Sequence, residues 1–279
     1  MKKRVRLGLN KEIYCSSVFD GLTDEAAFEC TFDVVAKNAI KLREHDLDCA
    51  FISPVDYARE SSDYCIIPHI AVSSRAATDT IVLYFKEGLH TVSTLAVQPT
   101  STSEIVLASI LLSERSNVQP QIVPSMGSLD QMLQSADAAL LVGNTALEQA
   151  GLHQNKVDLV EEWYDMTGLP YVHGFWCVRE SDVERDAIML VQQACARGFK
   201  SLDRIVATTT TQQSPRLSAD ALRQYFERFC FALADEEQEA LTEFIRYAYY
   251  HGVLPDVADL NFYPVDKKNE SPFADLSLN

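Results

Sequence analysis

The sequence predicts an α/β fold in which one or more mostly parallel sheets carry helices on both faces. Short apolar runs with strand character alternate with helical segments between residues 5 and 178. Alternation of this kind is typical of parallel strands that are joined by helices. From residue 184 to residue 252 the pattern becomes predominantly helical. The chain of 279 residues is long enough for one large domain or for two lobes.

The strand predictions rest on short apolar, β-branched or aromatic runs that are bounded by polar residues. In chain order these runs are VRLGL (5–9), FECTFDV (28–34), CAFI (49–52), CIIPHIAV (65–72), TIVLYF (80–85), VSTLAV (92–97), QIV (121–123), DAALLV (137–142) and VHGFWCV (172–178).

The helix predictions rest on amphipathic spacing and on residues that favour helix ends. Ser218 is a candidate N-cap, and acidic residues open the last helix. Gly151, Gly198 and Gly252 stand at predicted helix ends. The predicted helices are AKNAIKLREH (36–45), TSEIVLASILLSER (102–115), SLDQMLQSA (128–136), NTALEQAG (144–151), ERDAIMLVQQACARG (184–198), SADALRQYFERFCFAL (218–233) and DEEQEALTEFIRYAYYHG (235–252).

The charge balance argues against nucleic acid or an anionic membrane as a partner. Lys and Arg number 24 and Asp and Glu number 40, so the formal charge is −16. A small anionic ligand remains compatible, because distant charges are screened at physiological salt. No apolar run reaches the roughly 20 residues of a membrane span, and the basic N-terminus lacks the apolar stretch of a signal peptide. We therefore expect an unprocessed cytoplasmic protein; its oligomeric state stays open, a homodimer included.

Familiar cofactor and catalytic motifs are not found in this sequence. The seven cysteines are odd in number and form no CxxC, which fits a reducing compartment. The six histidines show no HxxxH or HExxH spacing, so a zinc site is not predicted. The sequence also lacks a P-loop, a GxGxxG and a nucleophile elbow. Kinase, dehydrogenase and hydrolase interpretations therefore lose their usual support.

Small polar residues recur where predicted strands end. Each could be a helix cap and nothing more. Because the carboxyl ends of strands border the ligand crevice in open α/β sheets, the set also predicts a shared cleft. Hydroxyl groups and free backbone N–H groups at a helix start can hold an anion there. These residues are Ser53, Ser73 and Ser74, then Ser101, Thr102 and Ser103 within PTSTSE (99–104), and Asn144 within GNT (143–145).

The stretch EEWYDMTGLPYVHGFWCVR (161–179) contains both tryptophans, Trp163 and Trp176. It is either a hydrophobic crossing between lobes or an aromatic wall of the cleft. His173 lies on the predicted strand within it, and is either a core residue or a site residue.

Four stretches in this order carry a resemblance to a known family: DLDCAFISPVDYA, IAVSSRAATDTIVLYF, DAALLVGNTAL and EEWYDMTGLPYVHGFWCVR. Over residues 5 to 256 the chain resembles the chorismate dehydratase family of the futalosine route to menaquinone. The resemblance implies a two-lobed fold like that of type 2 periplasmic binding proteins, with the ligand between the lobes. Lobe one would hold residues 1–86 and 181–279, and lobe two residues 87–180. The crossings would lie near 86–89 and 178–179, and Ser53 would belong to the cleft floor.

The resemblance implies a reaction that removes water from chorismate and leaves 3-[(1-carboxyvinyl)oxy]benzoate. A proton leaves the ring carbon that bears the ether, and the neighbouring hydroxyl departs. Aromatisation drives this reaction, so neither a metal nor an organic cofactor is implied. A carboxylate of the substrate could itself take the proton, because the expected cleft offers no obvious base. The residues expected to bind the substrate are Thr102 and Ser103 for one carboxylate, and Ser73, Ser74 and Thr80 for the rest.

The sequence differs from the family pattern at four places in the expected cleft. Tyr14 stands where the family carries an Asn that faces the substrate, which makes it a candidate catalytic residue. The stretch 75–80, which begins with Arg75, replaces a Gly-rich segment. Glu104 replaces a small hydroxyl residue and His173 an aromatic one. A buried acid beside a dianion must be protonated or paired with a cation such as Arg75, which could instead clamp a substrate carboxylate.

Three interpretations stay open at the level of sequence. The first is the dehydratase. The second is a cleft of the same fold that captures a small aromatic or cyclic carboxylate without turnover. The third is the sister enzyme that forms dihydroxynaphthoate, whose nucleoside-bearing substrate needs a larger cleft.

Overall fold

The chain has a two-lobed α/β architecture built on two separate sheets. Its computed structural model describes residues 4–98, 102–212 and 217–265. The six-stranded sheet has the spatial order β11 (Phe229–Cys230), β4 (Cys65–Ser74), β10 (Tyr171–Val178), β3 (Cys49–Ile52), β1 (Val5–Asn10) and β2 (Phe28–Asp33). The five-stranded sheet has the order β7 (Gln121–Pro124), β6 (Thr94–Val97), β8 (Ala138–Val142), β5 (Ile81–Phe85) and β9 (Lys156–Asp158).

Helices cover both faces of each sheet, because each sheet contributes side chains to two separate buried clusters. The α-helices are α1 (Ser16–Thr23), α2 (Val35–Arg43), α3 (Pro54–Arg59), α4 (Thr102–Ser116), α5 (Leu129–Ser135), α6 (Asn144–Glu148), α7 (Leu159–Thr167), α8 (Arg185–Phe199), α9 (Leu202–Gln212), α10 (Ala219–Phe226) and α11 (Asp235–Tyr250). Two short 3-10 helices span Ile13–Cys15 and Leu89–Thr91.

Both sheets are mixed, whereas the alternating pattern predicted mostly parallel ones. β1 runs parallel to β2 and β3, and β6 runs parallel to β7 and β8. β10 is antiparallel to β3 and β4, and β5 is antiparallel to β8 and β9. The difference arises because β5 and β10 are the strands that follow the two crossings between the sheets. Each enters its new sheet against the direction of its neighbours.

This arrangement gathers the relevant strand ends at one edge of each sheet. In the six-stranded sheet, Tyr171 at the start of β10 pairs with Ser74 at the end of β4. In the five-stranded sheet, Ile81 at the start of β5 pairs with Val142 at the end of β8. Residues that follow β1, β3, β4, β6 and β8 therefore leave their sheets at these two edges.

The sheet pairings also bear on where one lobe passes into the other. β5 belongs to the five-stranded sheet and β10 to the six-stranded sheet. The division at 86–87 and 180–181 would separate both strands from their hydrogen-bonded partners. We therefore propose crossings at 75–80 and 168–170, the connections that lead into β5 and β10.

Both tryptophans lie in hydrophobic cores. Trp176 packs edge-on against Phe19 and Phe51, with ring centroids 5.6 and 6.0 Å apart. Trp163 packs against Phe244 at 5.6 Å and donates its indole N–H to the carbonyl of Pro170 at 3.2 Å. Of the two interpretations of the segment 161–179, the hydrophobic crossing fits these contacts.

The predicted helix over 218–233 is wrong in its second half. α10 begins after the Ser218 cap as expected but ends at Phe226. Phe229 and Cys230 then form β11, opposite Ser74 and Ser73 of β4. The apolar spacing of this segment is compatible with a helix or with a strand. Phe229 and Cys230 form a strand because they pair with the edge of β4.

None of the helices in the described ranges combines the length and the apolarity that crossing a bilayer requires.

Candidate functional site

A chain of hydrogen bonds joins the segment after β3 to the first turn of α4 and so links the two lobes. Ser53 follows β3, and Ser103 lies in the first turn of α4. The backbone N–H of Val55 donates to the Ser103 hydroxyl at 3.0 Å, and Ser103 donates to Ser53 at 2.8 Å. Ser53 in turn donates to the carboxylate of Asp56 at 2.7 Å. Ser53 thus caps α3, one of the two roles expected for it, and also contacts Ser103 of the opposite lobe.

A second contact between the sheets joins the loop after β1 to the start of α6. The backbone N–H of Asn144 donates to the Glu12 carboxylate at 2.6 Å. The backbone N–H of Ile13 donates to the Asn144 side-chain oxygen at 2.9 Å. Gly143 makes this approach possible: its φ is +65°, and a Cβ there would lie 2.1 Å from the Glu12 carboxylate. Burial raises the pKa of Glu12 above its ordinary value.

Three further hydroxyl groups are enclosed nearby and hold protein partners. Ser74 lies 2.7 Å from Nε2 of His173, and Thr80 lies 3.0 Å from the hydroxyl of Tyr225. Ser73 donates to Glu237 at 3.5 Å. Five of the predicted hydroxyl residues are buried, and each already bonds another residue of the chain: Ser53, Ser73, Ser74, Thr80 and Ser103.

An aromatic cluster fills the space beside these hydroxyl groups. The rings of Tyr14 and Phe229 stack with centroids 5.5 Å apart and planes inclined by 12°. His173 lies 5.1 Å from Tyr14, 5.2 Å from Tyr171 and 5.4 Å from Phe229. Tyr225 packs edge-on against Phe229 at 5.2 Å. His173 thus packs as an aromatic ring, in a position where the resemblance implies one.

Tyr14 is enclosed, with 2% of its surface exposed. Its hydroxyl oxygen accepts a hydrogen bond from the side-chain amide of Asn10 at 3.2 Å. Burial, together with Cys15 and the charge of Glu104, raises the pKa of Tyr14 well above its ordinary value. The phenol therefore stays neutral at physiological pH, where it can donate a hydrogen bond but is a poor base.

Glu104 is the least satisfied acid of this region. It is 2% exposed, and its Oε2 has no hydrogen-bond partner among the described residues. Burial raises its pKa to about 7, and the carboxylates of Asp56 and Glu12 act in the same direction. Nδ1 of His173 and the hydroxyl of Tyr171 likewise lack partners in the described ranges. Unpartnered buried polar atoms are uncommon, so each of these three requires an explanation, of which a bound water or ligand is one.

His173 is neutral in this setting, since burial lowers its pKa to about 3. One ring nitrogen is shared with Ser74, and the other is left available. The site therefore offers neutral donors and acceptors together with one acid, Glu104, whose pKa lies near neutrality.

Some predicted residues lie apart from this region. Arg75 is half exposed and pairs with Glu236 and, at 3.9 Å, with Glu237, and no ion pair joins it to Glu104 among the described residues. Asp79 pairs with Lys156 at 2.6 Å and with Arg228 at 3.7 Å. Thr102 opens α4 and is partly exposed, and Ser101 lies outside the described residues.

Sequence reasoning missed Asn10, Tyr171, Tyr225 and Phe229 as parts of this region. Asn10 and Tyr171 stand at strand ends, so the rule that singled out Ser53 could have found them. No local signal marks Tyr225 and Phe229 as site residues, because in the predicted helix over 218–233 they lie four residues apart on one face, like ordinary core residues.

Glutamine at position 104 is expected to flatten the pH dependence of stability. The folded-state pKa of Glu104 is raised from 4.5 to about 7, so its contribution to stability is complete below pH 4.5 and is lost as the pH rises through about 7. The free energy of unfolding of the wild type should therefore fall by roughly 2 to 3 kcal/mol between pH 5 and pH 8 through this group. Glu104→Gln should not show this part of the fall. Urea unfolding at both pH values measures this.

The matched control is Glu114→Gln, at the other end of the same helix, where the carboxylate is 45% exposed and pairs with His251. If Glu104→Gln and Glu114→Gln showed the same change in unfolding free energy between pH 5 and pH 8, the assignment to Glu104 would be wrong.

Two lobes whose loop ends converge on one enclosed region define a protein of the periplasmic-binding-protein-like fold. Protein AF1704 from Archaeoglobus fulgidus has a similar structure, with a TM-score of 0.73 and 16% identity over 90% of this chain and 98% of that chain. The periplasmic aliphatic sulphonate binding protein SsuA from Escherichia coli gives 0.65 and 12%, over 94% and 98%. The Candida albicans CA3427 gene product, which has the generic periplasmic binding protein fold, gives 0.67 and 10%, over 95% and 99%.

The family follows from the sequence match. The model of a family described as menaquinone biosynthesis matches residues 5–250. The chain belongs to this menaquinone biosynthesis family, as the four ordered stretches predicted.

Proposed function

We propose that this protein is a hydro-lyase of menaquinone biosynthesis that removes water from chorismate and leaves 3-[(1-carboxyvinyl)oxy]benzoate. The observation that carries the proposal is the convergence of buried strand-end hydroxyls with an unpartnered acid, Glu104, in a member of the family. The reaction needs a small enclosed site that aligns one C–H and one C–O bond. It draws on no cofactor, and we place it in the cytoplasm.

The hydroxyls of Ser53, Ser103, Ser74 and Thr80 and the amide of Asn144 are the proposed substrate ligands. Each now bonds another residue of the chain, and the contacts of Ser53 with Ser103 and of Glu12 with Asn144 join the two sheets. A substrate would therefore enter when these contacts open and would replace them with bonds to its own oxygens. Closing domains around a ligand is a common motion of two-lobed proteins.

The ring proton and the hydroxyl leave from adjacent carbons. We propose that a substrate carboxylate takes the ring proton, because Tyr14 is a poor base and burial lowers the pKa of His173 to about 3. An ester at that carboxylate should abolish turnover, and undiminished turnover of the ester would reject this step.

The second candidate is capture of a small carboxylate without turnover, and the packing of Tyr14 favours it. A closed aromatic cluster at the position of the family's Asn leaves less room for a reacting ring than a small amide would. The variant Tyr14→Asn separates the two candidates: conversion that appears only in the variant favours a binding protein. The larger substrate of the sister enzyme is harder still to fit beside the stacked rings of Tyr14 and Phe229.

The test is incubation of the purified protein with chorismate while the ultraviolet spectrum is followed for the aromatic product. We expect the product to accumulate in proportion to enzyme and time. Heat of binding in a calorimeter without product would reject the lyase and support the binding protein. Absence of both heat and product would reject both candidates.

A further inference from the structure

Glu104 differs from Glu12 and Asp56 in that one of its carboxylate oxygens is buried and has no partner among the described residues. Glu12 accepts from Asn144, and Asp56 accepts from Ser53. Oε2 of Glu104 is buried without a partner in the part of the chain that the structure describes, in the first turn of α4, directly after Ser103 of the contact between the sheets. This buried oxygen could therefore form a hydrogen bond with a ligand that enters when the contacts between the lobes open.

Groups from four other parts of the chain interact electrostatically with Glu104. Asp56 on α3 and Glu12 after β1 bear on it electrostatically, and its charge in turn acts on Tyr14 of the 3-10 helix and Tyr171 of β10. The carboxylates of Asp56 and Glu12 disfavour a negative charge on Glu104. A bound dicarboxylate would disfavour it further, so the ligand should bind to the protonated form.

We propose that Glu104 is a catalytic acid that binds the substrate in its protonated form and donates its proton to the departing hydroxyl. This inference rests on the proposed function. It assigns a role to a residue that stands where the family pattern has a small hydroxyl side chain.

The step balances as follows. The C–H bond at the ether-bearing ring carbon breaks, its proton goes to the substrate carboxylate, and its electron pair forms the new ring double bond. The neighbouring C–O bond breaks, and the leaving hydroxyl takes the proton of Glu104 and departs as water. The product carboxylic acid then loses its proton to solvent, and Glu104 regains one, so the enzyme returns to its starting state. General acid assistance of this kind is worth roughly 10² to 10⁴ in rate.

Proton uptake on ligand binding is the readout that a purely structural role would not give. At pH 8, 3-[(1-carboxyvinyl)oxy]benzoate is titrated into the protein by calorimetry in phosphate and in Tris, whose ionisation enthalpies differ. We expect the buffer dependence to correspond to nearly one proton taken up per ligand by the wild type. Glu104→Gln should bind the same ligand without that uptake, because the neutral amide cannot gain a proton.

Turnover of chorismate by the same proteins completes the test. Glu104→Gln should lower kcat by at least 100-fold, while Glu114→Gln, on the exposed end of the same helix, should leave it unchanged. The wild-type kcat should fall as the pH rises and deprotonates Glu104 in the complex. Thermal unfolding confirms that each variant is folded.

The outcomes separate this inference from the proposed function. No conversion by the wild type would overturn the dehydratase and with it the acid role. Conversion by the wild type together with a Glu104→Gln rate within about 3-fold of it, or with no proton uptake, would overturn the acid role alone.

Discussion

Replacing Tyr14 with alanine is expected to lower the free energy of unfolding by about 4 kcal/mol and to open a cavity between the lobes. The ring is enclosed, stacks on Phe229 at 5.5 Å and contacts His173 at 5.1 Å. Removing a buried aromatic ring typically costs 3–5 kcal/mol, because the transfer energy is lost and the neighbours collapse only in part. Urea unfolding of the variant and the wild type measures the loss.

Tyr14→Phe is the matched control, because it keeps the ring and removes only the hydroxyl that accepts from Asn10 at 3.2 Å. Loss of that hydrogen bond should cost about 1 kcal/mol. A small aromatic such as phenol should raise the melting temperature of Tyr14→Ala and leave that of Tyr14→Phe unchanged, since only the first has a cavity for it. A loss below 1 kcal/mol for Tyr14→Ala, without a response to phenol, would mean that the ring does not fill the cleft.

The cavity experiment also bears on function. If Tyr14 occupies the place of a substrate ring, the gap that it leaves should have the size and polarity of the binding site. In that case either a ligand or the side chain at position 14 would fill the region between the lobes, and the residue at position 14 would determine which of the two does so.

Replacing Gly21 with alanine is expected to destabilise the protein by about 3 kcal/mol. α1 and α8 cross with their backbones in contact at Gly21 and Gly198. A Cβ on Gly21 would lie 2.1 Å from the carbonyl oxygen of Ala194, and one on Gly198 would lie 2.1 Å from that of Ser17. These obstacles are backbone atoms in helices, which cannot rotate away, so the helices must separate. Overpacking of this kind commonly costs 1–3 kcal/mol and can exceed that, against a gain of at most about 1 kcal/mol in helix propensity.

Gly88→Ala is the comparison, because its Cβ would meet nothing within 4 Å and its φ of −150° suits any residue. Its unfolding free energy should stay within about 0.5 kcal/mol of the wild type. Equal losses for the two variants would refute the close crossing. Because α1 directly follows the 3-10 helix with Tyr14, this crossing also positions the loop that carries Glu12 and Tyr14.

Many of the strands and helices were predictable because apolar runs and amphipathic spacing in the local sequence indicate them. CAFI (49–52) and TIVLYF (80–85) were predicted as strands from short apolar runs, and the structure forms β3 and β5 there. α4 and α11 were predicted from long amphipathic spacing. The short helix α1 was not predicted, because its eight residues show too little periodicity to be recognised, and α3 was expected only from the cap at Ser53.

The strand-end rule located part of the candidate site. Ser53, Ser74, Ser103 and Asn144 were predicted together, and all four lie at contacts between sheets or beside the aromatic cluster. Arg75 was predicted with them but pairs with Glu236 at the surface, because α11 brings its acidic first turn to the end of β4. Nothing near Arg75 in the sequence reveals that contact.

The sequence by itself determined the alternation of strands and helices, the family and the polar character of the loops that end the strands. These properties depend on neighbouring residues, and periodicity and composition express them directly. Only the tertiary structure decided that Tyr14 and His173 pack as rings in one cluster and that Glu104 is enclosed without a partner. Burial and pairing depend on residues that are distant in the chain, so the same glutamate would be an ordinary exposed acid in a different fold.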